Sequence, residues 1–359
     1  VKHRYGIPAF IVCIILFIQL PSTYAYGESS PQDTHEILQK SLSIVEIDHE
    51  IERIGERQKQ LDEQRQALSL QLQEQEEQIH IQQDRAGAVV RSYYTGERDS
   101  LLMTVLGARS FKDLFILFDY YQIIMGRDQA VLDKYQDRYR SLQQTSSQIS
   151  QTRSELSELK INLQHQRERV LVLQKEVDGK VAASGDAAVM QKLMDELTSY
   201  WENIGIYEVK RYFKALAAAM QNLPQFIQEQ NGGISTTGKT YTIRIGQDEL
   251  NTFLRSQNPI FEDFAFEFEK DRITASGQRD QLQLSIEGHY TVENEPQNSI
   301  RFHVDKLVFN QLELPDTTRH MLEREFDLGF YPQKILSFVK ATEVSTSEGI
   351  LEVKLAISF

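Results

Sequence analysis

Residues 44–93 read IVEIDHEIERIGERQKQLDEQRQALSLQLQEQEEQIHIQQDRAGAVVRSY. Along this stretch one seam recurs after alternating steps of three and four: Ile44, Ile47, Ile51, Ile54, Gln58, Leu61, Arg65, Leu68, Leu72, Gln75, Ile79, Gln82, Ala86, Val89 and Tyr93. Glu, Gln, Arg and Lys fill the gaps, and no proline interrupts them. A 3.5-residue period held this long predicts a helix packed along its length against another helix, as in a coiled coil. At about 1.5 Å per residue such a helix is roughly 75 Å long.

A second seam of matching length follows: Leu132, Tyr135, Tyr139, Leu142, Ser146, Ile149, Arg153, Leu156, Lys160, Leu163, Arg167, Val170, Gln174 and Val177. Two matched arms separated by a short insert predict an antiparallel hairpin over residues 26–178. The alternative is a parallel homodimer through either arm. Polar seam positions such as Gln58, Arg65, Gln75, Arg153, Lys160 and Arg167 lower stability and fix register.

The insert, residues 94–127, has a different character. Gly96 breaks the first helix, Leu101, Leu102, Val105 and Leu106 make a short apolar helix, and Gly107 ends it. Ser110 with Asp113 forms a variant of the capping box for a new helix. That helix carries Phe111, Leu114, Phe115, Phe118, Tyr121, Ile124 and Met125 at helical spacing, and Ile116, Leu117, Tyr120 and Ile123 as well. It is apolar nearly all round. It therefore either makes a small core where the hairpin turns or leaves a face free for a partner.

Residues 179–186 (GKVAASGD) read as a small-residue linker, 187–230 as a helical segment broken near Gly205 and Pro224, and 231–238 (NGGISTTG) as a loop. Beyond that the period changes to two. Tyr241, Ile243 and Ile245 alternate with polar residues, as do Phe264, Phe266 and Phe268; Leu282, Leu284 and Ile286; Ile300, Phe302 and Val304; and Leu351, Val353, Leu355 and Ile357. These are half-buried strands. With short helices at 247–256 and 316–325, residues 239–359 form an α+β unit, an antiparallel sheet with helices packed on one side. The fold class is thus mainly α with an α+β C-terminal domain.

The chain carries 52 acidic against 39 basic residues, a net charge of −13. That balance argues against nucleic acid, whose binding begins with phosphate neutralisation. It also weakens broad adhesion to anionic lipid. Residues 1–25 read as a secretory signal: Lys2, His3 and Arg4, an apolar stretch at 7–20, then Thr23-Tyr24-Ala25 before a cut. An uncleaved signal anchor is the other reading. Cys13 lacks the small preceding residue of a lipoprotein site, and cleavage after Ala25 leaves no cysteine. The expected location is outside the cell, in the envelope.

No motif for catalysis or a cofactor stands out. A thiol amidase needs Cys beside His, and the mature chain has no cysteine. A zinc endopeptidase needs paired ligands, and His35, His49, His80, His165, His289, His303 and His320 form no ligand pair along the sequence. His289 and His303 lie in strands and read as surface residues. The glycines at 232–233 lack the Lys-Ser/Thr of a phosphate loop. The expectation is a non-enzymatic protein without metal or cofactor.

The region from Val89 to Tyr135 resembles the coiled-coil region of division-linked peptidoglycan hydrolases and hydrolase activators of the PcsB/EnvC type. The shared residues are Tyr93-Tyr94-Thr95-Gly96, Leu101-Leu102, Val105-Leu106, Ala108-Arg109-Ser110-Phe111, Asp113-Leu114 and Arg127-Asp128, the last opening the second arm. The resemblance covers about residues 35–178. It implies as partner the extracellular loop of an FtsX-like membrane protein, within a complex that couples ATP hydrolysis to wall cleavage. The family's hydrolase module is missing, so wall cutting does not carry over. The last third is more weakly similar to LmeA/YpmS-like envelope proteins, through Gly288-x-Tyr290, Leu312-x-Leu314-Pro315 and Glu348-Gly349-Ile350-Leu351; this implies lipid binding.

The main expectation is an envelope adaptor regulating peptidoglycan remodelling, with Phe111, Leu114, Phe115, Phe118 and Tyr121 contacting the partner. The rival is an exported lipid carrier in which Phe264, Phe266, Leu282, Leu284, Phe302 and Val304 line a groove. A third reading is a degenerate hydrolase that only binds a cell-wall component.

Overall fold

A computed structural model describes residues 30–229, 234–238, 240–279 and 282–358. The expected signal at 1–25 lies outside the described residues, as do residues 231–233 of the expected loop at 231–238. Among the described residues no helix is long and apolar enough to cross a membrane. The chain is mostly helical, with a C-terminal antiparallel sheet domain packed against helices.

Helix α1 (Pro31–Tyr94) opens on Ser30, whose hydroxyl accepts the Asp33 amide at 3.1 Å, with Pro31 in the first turn. It stops where Gly96 takes a left-handed φ of 76°. Helix α2 (Glu97–Leu106) is a ten-residue insert ended by Gly107. Helix α3 (Phe111–Ala183) starts at the expected cap, the Asp113 amide donating to Ser110 Oγ at 3.2 Å. From there it runs unbroken for 73 residues. The second arm therefore does not open at Arg127-Asp128. Gly126 costs a helix only about 1 kcal/mol, and Asp128 is held in place by Arg98 of α2.

Helices α1 and α3 lie antiparallel. Glu36 pairs with Lys180 and Lys40 with Glu176, both at 2.7 Å. Further along, Arg57 meets Glu155 at 3.7 Å, Gln75 donates to Ser141 at 3.0 Å, and Tyr93 reaches Met125 at 3.2 Å. One number climbs as the other falls, so the register holds from end to end. Such contacts report register; each contributes little stability when exposed.

Every residue of the first seam is buried or half-buried except Tyr93. The second seam needs a correction. Leu132, Tyr135, Leu142, Ile149, Leu156, Leu163, Val170 and Val177 do face inward. The companion row of Tyr139, Ser146, Arg153, Lys160, Arg167 and Gln174 is exposed. The inward row is one residue earlier in each heptad: Thr145, Thr152, Leu159, Gln166 and Leu173. The physical reason is desolvation. Placing Arg153, Lys160 and Arg167 at the contact would strip water from three cations, whereas the adjacent row offers Leu159 and Leu173.

The proposed linker is shorter than its composition implied. α3 continues to Ala183, held by Val177 (3% exposed) and by Lys180 on Glu36, and the turn comes only at Ser184, Gly185 and Asp186. Then α4 (Ala187–Tyr200), a π-helical turn (Trp201–Gly205) and α5 (Ile206–Glu229) form one continuous rod. Gly205 and Pro224 do not break it. Pro224 is buried in α5 between Leu223 and Ile227, whose apolar burial offsets the roughly 3 kcal/mol that an internal proline costs.

The C-terminal domain has two antiparallel sheets rather than one. Strands β1 (Ile234–Thr237), β2 (Thr240–Gly246), β8 (Val339–Ser347) and β9 (Ile350–Ile357) make the first, in the order β1-β2-β9-β8. Strands β3 (Phe264–Glu269), β4 (Arg272–Arg279), β5 (Leu282–Glu293), β6 (Ser299–Phe309) and β7 (Leu312–Glu313) make the second, in chain order. β1 occupies part of the expected loop, pairing with β2 across a tight turn at Gly238. Helices α6 (Gln247–Gln257) and α7 (Asp316–Glu325) stand close to their expected places. The apolar face of α5 (Val209, Phe213, Leu216, Met220, Leu223, Ile227) shares one core with both sheets. Leu42 of α1 also enters that core, so the helical pair is rooted in the domain.

Candidate functional site

Two places bear on function: the far end of the helical pair and its root.

At the far end, Leu114, Leu117, Tyr121 and Ile124 repeat in steps of three and four and are half-buried, as is Leu101 of α2, while Val105 is buried. This is the small core of the turn. Arg98 fastens it, donating to Asp128 through Nε at 2.7 Å and Nη2 at 3.0 Å. Asp128 is otherwise sealed from solvent, so this two-bonded pair locks α2 onto α3.

The opposite faces are open. Phe111 is 82% exposed, Phe115 70% and Tyr94 90%. Phe118, Ile116, Tyr120, Ile123, Leu102, Met103 and Leu106 are exposed too. The five expected contact residues therefore divide: Phe111, Phe115 and Phe118 face solvent, while Leu114 and Tyr121 serve the turn's own packing. Tyr94, Met103 and Leu106, outside the five expected contacts, belong to the surface as well. Their signal was there, since a ten-residue helix with five apolar residues cannot bury all of them against one neighbour. Residues 94–127 contain four cations (Arg98, Arg109, Lys112, Arg127) and four anions (Glu97, Asp99, Asp113, Asp119), so the tip is neutral in an acidic chain.

The six residues expected to line a groove lie elsewhere. Phe264, Phe266, Leu282, Leu284, Phe302 and Val304 are each 8% exposed or less and belong to the common core. A void of about 10 Å³ lies among Phe266, Phe302, Leu216 and Met220, room for about one water and not for an acyl chain. The six side chains pack with the apolar face of α5 in that core; Leu282 also borders a larger open hollow beside Tyr200, Ile204 and Tyr212.

His289 and His303 are register partners on β5 and β6, with ring centres 5.5 Å apart. His289 Nδ1 is 2.7 Å from Asp305 and His303 Nε2 is 2.8 Å from Thr291 Oγ1. Among the described residues no group of three or more His, Cys, Asp or Glu is placed to hold a metal ion.

At the root, the carboxylate of Glu46 on α1 is 2% exposed. The Trp201 indole N–H donates to its Oε1 and the Thr318 hydroxyl to its Oε2, both at 2.6 Å. Burial by itself would raise the Glu46 pKa; hydrogen bonds with His49, Thr318 and Trp201 outweigh it and hold it below the usual value. Trp201 is fully buried and packs edge-on to Phe309, with ring centres 5.0 Å apart. Nearby, Arg324 of α7 reaches Glu50 at 3.1 Å, and Arg169 of α3 grips Asp316 at 2.7 and 3.2 Å. Both long helices are thereby tied to α7.

No family model, curated protein or solved structure matches the chain.

Proposed function

We propose that this protein is a non-enzymatic adaptor of the cell envelope. Its two long helices act as an antiparallel coiled-coil hairpin, and the tip of that hairpin docks the extracellular loop of an FtsX-like membrane protein. The C-terminal domain serves as the effector through which peptidoglycan remodelling is regulated. The observation that carries this reading is the cluster of exposed aromatic and aliphatic side chains around Phe111, Phe115, Tyr94 and Leu106. Large apolar patches of this kind mark interaction surfaces. The neutral charge of the tip favours a protein surface over a polyanion. The resemblance of residues 35–178 to PcsB/EnvC-type coiled coils supplies the class of partner, and the signal-like residues 1–25 supply the export route.

The test is a pull-down of the full chain against extracellular loops of membrane proteins, with and without residues 94–127, alongside a Phe115→Asp/Phe118→Asp variant. Capture of an FtsX-like loop by the intact chain, lost in both variants, is the expected result. Capture that survives the double substitution would overturn the tip as the docking surface. No capture by the intact chain would overturn the adaptor reading.

A further inference from the structure

The root of the helical pair carries more than packing requires. His49, half-exposed on α1, stands between two carboxylates on different elements. Its Nδ1 is 3.5 Å from Glu46 Oε1, and its Nε2 is 3.6 Å from Glu202 Oε1 on the π-helical turn. The same Glu46 oxygen accepts the Trp201 indole from that turn, and its other oxygen accepts Thr318 from α7. One helix, one π-turn and one domain helix therefore meet on a single carboxylate with an imidazole beside it. π-turns inside helices recur at functional sites.

We infer that this junction is a proton-operated catch: a cationic His49, braced by Glu46 on its own helix, ties α1 to the π-turn at Glu202, and loss of its proton loosens the C-terminal domain from the root of the helices. The inference goes beyond the adaptor reading and does not depend on what binds the tip.

The neighbouring charges are consistent with a local switch. Asp48, Glu50, Glu52 and Arg53 lie on α1 itself, with Arg53 and Arg324 both on Glu50. On α3, Arg169 is engaged by Asp316 of α7. On α7 a second imidazole, His320, neighbours Asp316 rather than Glu46; His49 is the imidazole placed between Glu46 and Glu202, in reach of a charge change near neutral pH. Its hydrogen bond to Glu46 raises its pKa above the usual 6.5, against the opposing effect of partial burial. The tie it supplies is complete below 6.5 and is lost as pH rises through the raised value. Glu46, held below its usual 4.5, works from the other side: its contribution is complete above 4.5 and is lost as pH falls through the lowered value. The catch is closed across mildly acidic pH and opens as pH rises above 6.5.

Trp201 is the chain's only tryptophan, so emission from the full chain reads the junction directly. The expected result is a Trp201 emission change with one titration step on the alkaline side of pH 6.5, absent in His49→Gln and shifted to lower pH in Glu202→Gln. Amide exchange across 316–325, corrected for its intrinsic pH dependence, should accelerate several-fold through the same step. An emission titration unchanged in His49→Gln would overturn the inference, as would corrected exchange in α7 that ignores the step. If His49→Gln does not fold, Glu202→Gln decides: its side chain is surface-lying, and an unshifted midpoint overturns the proposal.

Discussion

The indole N–H of Trp201 donates to Glu46 Oε1 at 2.6 Å across 155 residues of chain. This bond joins the start of the helical pair to the start of the domain, in a region where water is excluded. Glu46→Ala would leave the indole N–H and the Thr318 hydroxyl buried without an acceptor. The expected cost is about 2–5 kcal/mol, since each unpaired buried donor costs about 1–3 kcal/mol. Glu46→Gln keeps one good acceptor and should cost less. Urea denaturation followed at Trp201 would measure both; equal, small losses would mean that the carboxylate is not what holds the joint.

Gly205 makes a sharper local test. A Cβ at this position would lie 2.5 Å from Trp201 Cε3 and 3.0 Å from Phe309 Cζ. Gly205→Ala should therefore destabilise by about 1–3 kcal/mol through overpacking. Gly179, inside α3, has nothing within 4 Å of a Cβ. Gly179→Ala should stabilise by about 0.5–1 kcal/mol, because alanine removes backbone freedom from the unfolded chain and adds no clash. Thermal melts of the two variants should move in opposite directions.

At the other end, the Arg98–Asp128 pair predicts a local rather than global effect. Arg98→Ala strands a buried carboxylate, a loss of about 3–5 kcal/mol for a pair broken on one side. Much of that should appear as opening of α2, which has few other attachments. Hydrogen exchange across 97–106 should accelerate by orders of magnitude, while the C-terminal core is unaffected. Uniform acceleration would mean that the tip and the root unfold together.

The exposed aromatics predict the reverse pattern. Phe115→Asp/Phe118→Asp removes surface that the protein does not bury itself, so stability should stay within about 0.5 kcal/mol per site. A large loss in the melt would show that these rings belong to the fold and not to a partner.

Much of this architecture was legible in the chain, and the misses share a cause. The long period-3.5 run marked α1 from 44 to 93, because the inward face there is largely apolar and the outward face is charged; the first thirteen residues of the helix, 31–43, lay outside the run. β2, β3, β5, β6 and β9 announced themselves by large residues in alternation. β4 (RITASGQR) and β8 (VKATEVSTS) did not, since their inward positions include small residues such as Ala275 and Ala341, which are buried but weak as a pattern. Gly205 and Pro224 were read by local propensity, and tertiary burial overrode it. The Glu46 junction left no trace in sequence order. A glutamate on a charged helix looks solvated until the fold brings an indole and a hydroxyl to it from 155 and 272 residues away.

The register of α3 offers the most discriminating substitution pair, because two adjacent residues exchange roles between the two arrangements. If the inward row were Arg153, Lys160 and Arg167, truncating Lys160 would remove seam contacts and Leu159 would be dispensable. In the structure Leu159 is half-buried toward α1, while Lys160 is exposed. Leu159→Ala should therefore lower stability by about 1–3 kcal/mol, less than the 2–5 kcal/mol of a fully enclosed leucine, because part of its surface already meets water. Lys160→Ala should change it by less than about 0.5 kcal/mol. Leu171, 70% exposed on the outer face, is the control for hydrophobicity alone, and its truncation should also be nearly neutral. Chemical denaturation of the three variants reads the register directly, since only the inward row carries the contact between the arms. Equal losses at Leu159 and Leu171 would place a second surface against α3 on its outer side.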